Sequence, residues 1–141
     1  MKKALIATVA ALTLVPTFAS AESFNDAFLK ARAENGKGYV FEWKGKKYVA
    51  LHEEEAEANV AATADNAQKM IDKAKAKNKE VAALGFEWKL TGDIIKSAEQ
   101  ALADGEFRKA LDLAAQAKYH ARIGIEQHSY AQSNWHLSVP Q

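Results

Sequence analysis

The chain has 141 residues, room for one domain, and its 19 Lys and Arg against 18 Asp and Glu leave a formal net charge of +1. That balance does not point to nucleic acid. There is no cysteine, which excludes disulfides, thiol catalysis, thiolate-held zinc or iron–sulfur centres, and covalent c-type haem.

Residues 1–21 read MKKALIATVAALTLVPTFASA. Lys2 and Lys3 precede an uncharged apolar run from Ala4 to Val15, and Ala19-Ser20-Ala21 is a small-x-small cleavage signal. This pattern predicts a secretory signal peptide cut after Ala21. The apolar run is too short for a membrane anchor and Pro16 interrupts it. The expected mature chain, 22–141, is periplasmic and carries a net charge near −1 once Lys2 and Lys3 are lost. Much of the 48% hydrophobic fraction is Ala, so a thin core of closely packed helices is expected.

Residues 22–52 read as a short helix followed by a β-hairpin. Ser23 suits the cap, and Phe24, Ala27, Phe28 and Ala31 share a helical face. Asn35-Gly36 and Gly38 end that helix. Tyr39, Phe41 and Trp43 then alternate, and Lys44-Gly45 marks a tight turn before Lys46–Ala50. A lone hairpin is marginal in water. Its aromatic face must lie on the short helix, on the later helices, or on a partner.

Residues 53–141 read as helical. One long helix is expected from Glu53 to Leu84, with a stripe of Ala56, Val60, Ala64, Ala67, Ile71, Ala74 and Val81. Glu53, Glu54 and Glu55 suit its positive end. Gly85 closes it, and Phe86–Leu90 form a loop. Thr91 is placed to cap a second helix carrying Ile94, Ile95, Ala98, Ala101 and Leu102, which Asp104-Gly105 stops. A third helix opens at Glu106 and carries Phe107, Ala110, Leu111, Ala114, Ala117, Ala121 and Ile125, running to about Trp135. Short connections imply antiparallel neighbours. The fold expected is mainly α: an antiparallel three-helix array with a tetratricopeptide-like helical hairpin at 98–114, preceded by the short helix and β-hairpin. One such hairpin does not make a solenoid.

The residues that carry chemistry are sparse. His120, His128 and His136 are eight apart, so each lies about 80° further round a helix than the last and the three do not converge on one ion. HxxxH, HExxH, GxSxG, Walker and GxGxxG motifs are absent. No enzyme, metal or cofactor is expected. Lys69, Lys73 and Lys77 form a basic helix face, either solvated or a docking surface for an acidic partner. Phe86 and Trp88 are two large aromatics in one short loop; Phe86 reads as packing the helix ends, and Trp88 as either packing or a plug for a partner's pocket. Trp135 has the same two readings, with packing the favoured one.

The run Gly85-Phe86-Glu87-Trp88-Lys-Leu-Thr91-Gly-Asp-Ile94-Ile95-Lys-Ser-Ala98 resembles the SoxXA-binding protein family, SoxK-like accessories of the thiosulfate-oxidising Sox system. In that family a Gly-x-Glu-Trp-x-x-Thr element precedes a helix with an Ile-Lys-x-Ala pattern. The similarity continues through Ala101, Gly105, Phe107, Ala110, Ala114, Ala117, Gly124 and Gln127, covering roughly 56–132. Glu106 stands where Asp is commoner, and 22–52 lies outside the family core. The resemblance implies a non-catalytic periplasmic subunit that binds the SoxXA c-type cytochrome and supports thiosulfate oxidation, the partner carrying the haem. Gly85, Phe86, Glu87, Trp88, Thr91, Lys73 and Lys77 are the candidate partner-binding residues. A general periplasmic helical adaptor for another complex is the second reading, and a small ligand- or metal-binding protein the third. The division expected is 1–21 signal peptide, 22–52 extension and 53–141 helical domain.

Overall fold

A computed structural model of the chain describes residues 22–138. The expected signal peptide and Pro140 lie outside the described residues.

Helix α1 (Phe24–Asn35) begins as its sequence predicts: Ser23 Oγ accepts from the Asp26 backbone N–H at 3.1 Å, satisfying a free donor of the first turn. Strands β1 (Val40–Trp43) and β2 (Lys46–Val49) pair antiparallel, with Phe41 opposite Tyr48 and Trp43 opposite Lys46. Lys44 and Gly45 between them both have positive φ, 49° and 74°. That turn matches the twist of the strands. Phe41, Trp43 and Tyr48 of the hairpin pack against α1, whereas Tyr39, expected on the same face, is 46% exposed. Phe41 and Ala50 are buried with Ala27 and Ala31, and the Phe24 ring meets Tyr48 and Trp43 edge to face, with centroids 4.9 and 5.4 Å apart. The chain's own short helix thus supplies the surface that the hairpin lacks.

The expected helix from Glu53 to Leu84 is two helices. α2 (Glu53–Ala58) stops at Asn59, and α3 (Ala64–Ala83) restarts after Thr63, whose side chain accepts from the Asn66 N–H. The break is held from outside: Arg108 donates to the Ala58 carbonyl at 2.6 Å and to the Val60 carbonyl at 3.3 Å. Carbonyls freed at the end of α2 are thereby satisfied. Ala56, Val60 and Ala64, the first part of the expected stripe, are exposed; Ala67, Ile71, Ala74 and Val81 are buried as expected.

α4 (Lys89–Ala103) and α5 (Phe107–Asn134) follow, and a 3₁₀ turn covers Trp135–Ser138. α5 is the central helix, packed against α2, α3 and α4. Ala98 and Ala101 of α4 and Ala110, Ala114 and Ala117 of α5 are buried in the shared core, where small side chains let the helix axes approach. The largest fully buried residues are Ile71, Leu111, Glu54, Val81 and Thr91, so the core is thin and two of its five largest members are polar. Thr91 is not a cap. Trp88 precedes the first helical residue, and Thr91 lies one turn inside α4, 0% exposed. Trp135, expected to pack, is 65% exposed.

Candidate functional site

The end of the bundle where α3 turns into α4 gathers the residues singled out by sequence. Gly85 takes φ +73°, a conformation glycine adopts freely. The Gly85 N–H donates to the Ala82 carbonyl at 3.0 Å and the Phe86 N–H to the Val81 carbonyl at 3.2 Å. This pair of bonds ends α3 and folds the following chain back over the bundle. Phe86 and Trp88 then meet α5. The Phe86 ring lies edge-on to His128, 5.2 Å between centroids, and Trp88 lies 5.3 Å from the His120 ring. Trp88 Nε1 donates to Gln127 Oε1 at 3.0 Å. Glu87 Oε1 accepts from Asn78 Nδ2 at 2.6 Å.

The close approach depends on Gly124. A Cβ there would stand 2.7 Å from Val81 Cγ2 and 2.8 Å from the Phe86 carbonyl oxygen. Glycine inside a helix otherwise costs about 1 kcal/mol relative to Ala, and this contact is its compensation. A glycine within a strongly helical pattern was the available signal for a packed crossing.

The structure divides the expected site residues. Gly85, Phe86, Glu87 and Trp88 lie together at one end, with Phe86 and Trp88 half-buried against α5 and Glu87 exposed. Thr91 is buried beneath them, and its hydroxyl finds no hydrogen-bond partner among the described residues. It does not face a partner. Lys73 and Lys77 lie elsewhere, on α3, and each meets a carboxylate of this chain: Lys73 with Glu57 at 3.3 Å, Lys77 with Glu80 at 2.7 Å. Lys69 pairs with Asp65 and Lys75 with Glu99. The expected basic face is thus a lattice of ion pairs, not an open positive field. Sequence reasoning missed Leu84 and Leu90, which flank the loop at 38% and 57% exposure.

A second group of titratable residues joins 22–52 to the helices. Glu54 is fully buried, its Oε1 2.7 Å from Arg122 Nε, and Arg122 also holds Glu126 at 2.6 Å. The hydrogen bonds that Arg122 donates to Glu54 hold the guanidinium above its ordinary value. Arg32 of α1 donates to both oxygens of Glu55, at 2.7 and 3.0 Å, and to the Ala50 carbonyl. Lys118 reaches Glu57 at 2.7 Å. The acidic start of α2, read from sequence as a dipole match, is an ionic hub between α1, α3 and α5. Beside it a cleft of about 360 Å³ is lined by Arg32, His52, Glu55, Asp112, Tyr119 and His120, among others. Its cations are spoken for: Arg32 by Glu55 and Lys37 by Asp112.

These groups set a pH dependence. Burial, with Arg32 next, holds His52 below the ordinary histidine value, and burial alone does so for His120. A lowered histidine binds its proton more readily unfolded, so its stabilisation is complete above about pH 6.5 and is lost as pH falls below that. Burial would raise Glu55, but hydrogen bonds from Arg32 and the His52 N–H outweigh it; Lys118 and Lys73 do the same for Glu57, and both carboxyls end lowered. Their stabilisation is present above the ordinary carboxylate range and is lost as pH falls through their lowered values. Urea unfolding at stepped pH is expected to show two falling limbs on acidification, one starting near pH 6.5 and one below about pH 4.5. His52→Asn with His120→Asn should flatten only the first. Stability that rises between pH 7 and 5 would contradict this reading.

Among the described residues, no three His, Asp or Glu side chains come together to hold a metal ion. His120, His128 and His136 each lie against a different aromatic: Trp88, Phe86 and Trp135. No helix among the described residues is long and apolar enough to cross a membrane. No protein-family model, curated protein or solved structure matches the chain.

Proposed function

We propose that the chain is an exported, non-catalytic accessory subunit that binds the SoxXA c-type cytochrome and supports thiosulfate oxidation, the haem and the chemistry residing in the partner. One observation carries the reading beyond the run of residues 85–98. Gly124 and Gln127, which the resemblance picks out far along the chain, are the residues that Phe86 and Trp88 touch. Four of the resembling positions, Phe86, Trp88, Gly124 and Gln127, therefore meet at one end of the bundle. Their arrangement makes Phe86 and Trp88 the scaffold of that end and leaves its rim, Leu84, Glu87 and Leu90, to meet a partner. An exposed apolar pair around a carboxylate suits a protein surface with a complementary cation and an apolar centre. Support for SoxXA activity then follows from tighter binding to the active assembly than to its separated parts.

Titrating mature protein into purified SoxXA by calorimetry tests this. Saturable binding is expected, and Leu90→Arg should weaken it by about 2 kcal/mol, roughly thirtyfold, as at an interface hot spot, with helicity unchanged. A well-folded protein that does not bind SoxXA, yet draws a haem-free companion from periplasmic extract, would favour the general adaptor instead.

A further inference from the structure

We propose that residues 22–51 form a hinged flap on the helical bundle, which acid releases through His52 at its pivot while the bundle stays folded. The chain has two separate cores. Ala27, Ala31, Phe41 and Ala50 close one, between α1 and the hairpin; the other lies among α2, α3, α4 and α5, and no residue belongs to both. α1 packs on β1, and the four later helices pack on one another. What joins the two parts is polar. Arg32 of α1 meets Glu55 of α2 at 2.7 Å, and Lys37 meets Asp112 of α5 at 3.6 Å, the latter pair about half exposed. The seam is also hollow. Besides the cleft at His52, a second cleft of about 410 Å³ lies between Val49 and Leu51 of the flap and Asn59 of the bundle, and Lys37, Glu55 and Asp112 line both. A seam closed by apolar packing leaves few voids larger than a water molecule.

His52 stands where the two parts meet. It is the last residue before α2, and its ring lies 5.2 Å from Phe28 of α1 and 4.4 Å from Tyr119 of α5. The charged groups around it are Arg32 from α1, Glu54 and Glu55 from α2, and Arg122 from α5; Tyr119 and His120 of α5 line the same cleft. Burial and then Arg32, with Arg122 behind, oppose a proton on the ring, and they outweigh the pull of Glu55 and Glu54. Both carboxylates are already paired with arginines. Releasing the flap takes Arg32 away and hydrates the ring, so His52 binds its proton more readily open than closed. The closed form is therefore favoured above about pH 6.5 and loses ground as pH falls below that. One proton raises the open-to-closed ratio by at most about tenfold between about pH 7.5 and 5.5. The pairs Glu54–Arg122 and Glu57–Lys118 lie within the bundle and are kept in the open form.

The natural absence of cysteine lets spin labels be placed in chosen pairs. Double electron–electron resonance on the mature chain carrying Lys46→Cys on β2 and Lys96→Cys on α4 reads the flap. Lys69→Cys with Lys96→Cys, both on the bundle, reads the bundle. At about pH 7.5 the flap pair should give one narrow distance. At about pH 5.5 a second, broad population should have grown by up to about tenfold, with the bundle pair unchanged. His52→Phe keeps a ring between Phe28 and Tyr119 but takes no proton, and should lose most of that pH dependence. Lys37→Gln, at an exposed position, should enlarge the open population at about pH 7.5. A flap distance that is the same at both pH values overturns the proposal. So does a bundle distance that broadens with it, a His52→Phe chain with the full pH dependence, or a Lys37→Gln chain no more open than its parent. The outcome does not depend on SoxXA binding, since no measurement contains that partner.

Discussion

Arg122→Met is expected to destabilise the chain by about 3 kcal/mol, the scale of a buried ion pair broken from one side. Glu54 is 0% exposed, and Arg122 is its cationic partner through both Nε and Nη2. Removing the guanidinium leaves a carboxylate inside the protein with no charge to meet. The arginine also lies 5.2 Å from the Tyr119 ring and holds Glu126, both on its own helix, so the side chain is held in place to meet Glu54 of α2. Met keeps most of the aliphatic stem, and the measured loss therefore reports the charge. Adding Glu54→Leu should return most of that stability, because an apolar side chain needs no partner there. Urea unfolding of the single and double variants checks both statements. If Arg122→Met costs under 1 kcal/mol, the hub at α2 is not what holds that helix in place.

Gly124→Ala is expected to cost about 2 kcal/mol, in the range typical of overpacking. Helix propensity alone would make the change favourable by about 1 kcal/mol, so the sign of the effect decides between propensity and packing. Packing should win because one of the two clashes is with backbone: the Phe86 carbonyl oxygen sits 2.8 Å from the added methyl and cannot rotate away. The loop must lift, and with it Trp88 leaves Gln127. Adding Val81→Ala relieves the 2.7 Å contact with Cγ2 but not the contact with the carbonyl, so it should not restore stability. Thermal unfolding with near-ultraviolet circular dichroism reads both. A stabilised Gly124→Ala would mean that the loop does not rest on α5.

Much of the architecture was legible because its signals are local. Ser23 caps within one turn, Lys44-Gly45 turns within two residues, and Asp104-Gly105 stops α4 where the periodic residues run out. The Ala and Ile spacing of α4 and α5 named their buried faces. The break at 59–63 was not legible as a break, since Ala56, Val60 and Ala64 continue a helical stripe in sequence. Arg108, some fifty residues away, decides it by taking the Ala58 and Val60 carbonyls. Thr91 was misplaced for a related reason. Cap chemistry suited it, but after the Gly85 turn the cap is Trp88, three residues earlier, and position 91 lies inside the helix and is buried.

The candidate site shows the same division. Phe86 and Trp88 were identifiable as large aromatics in a short loop. Whether they faced α5 or a partner was set by Gly124 and Gln127, which are distant in the chain. Lys69 and Lys77 of α3 pair with Asp65 and Glu80 of the same helix, which local spacing could have shown, whereas the counter-charges of Lys73 and Lys75, Glu57 and Glu99, come from other helices.

The amino-acid sequence alone determined which segments are helix or hairpin, where most of them stop, and that no cysteine chemistry is available. Those properties depend on interactions within a turn or two, which are written in consecutive residues. Only the tertiary structure decided that Glu54 is a buried charge, that Trp88 rests on α5, and that Lys73 and Lys75 of α3 are ion-paired. Each of these is a relation between residues tens of positions apart, and a side chain's burial depends on what the rest of the chain brings to it.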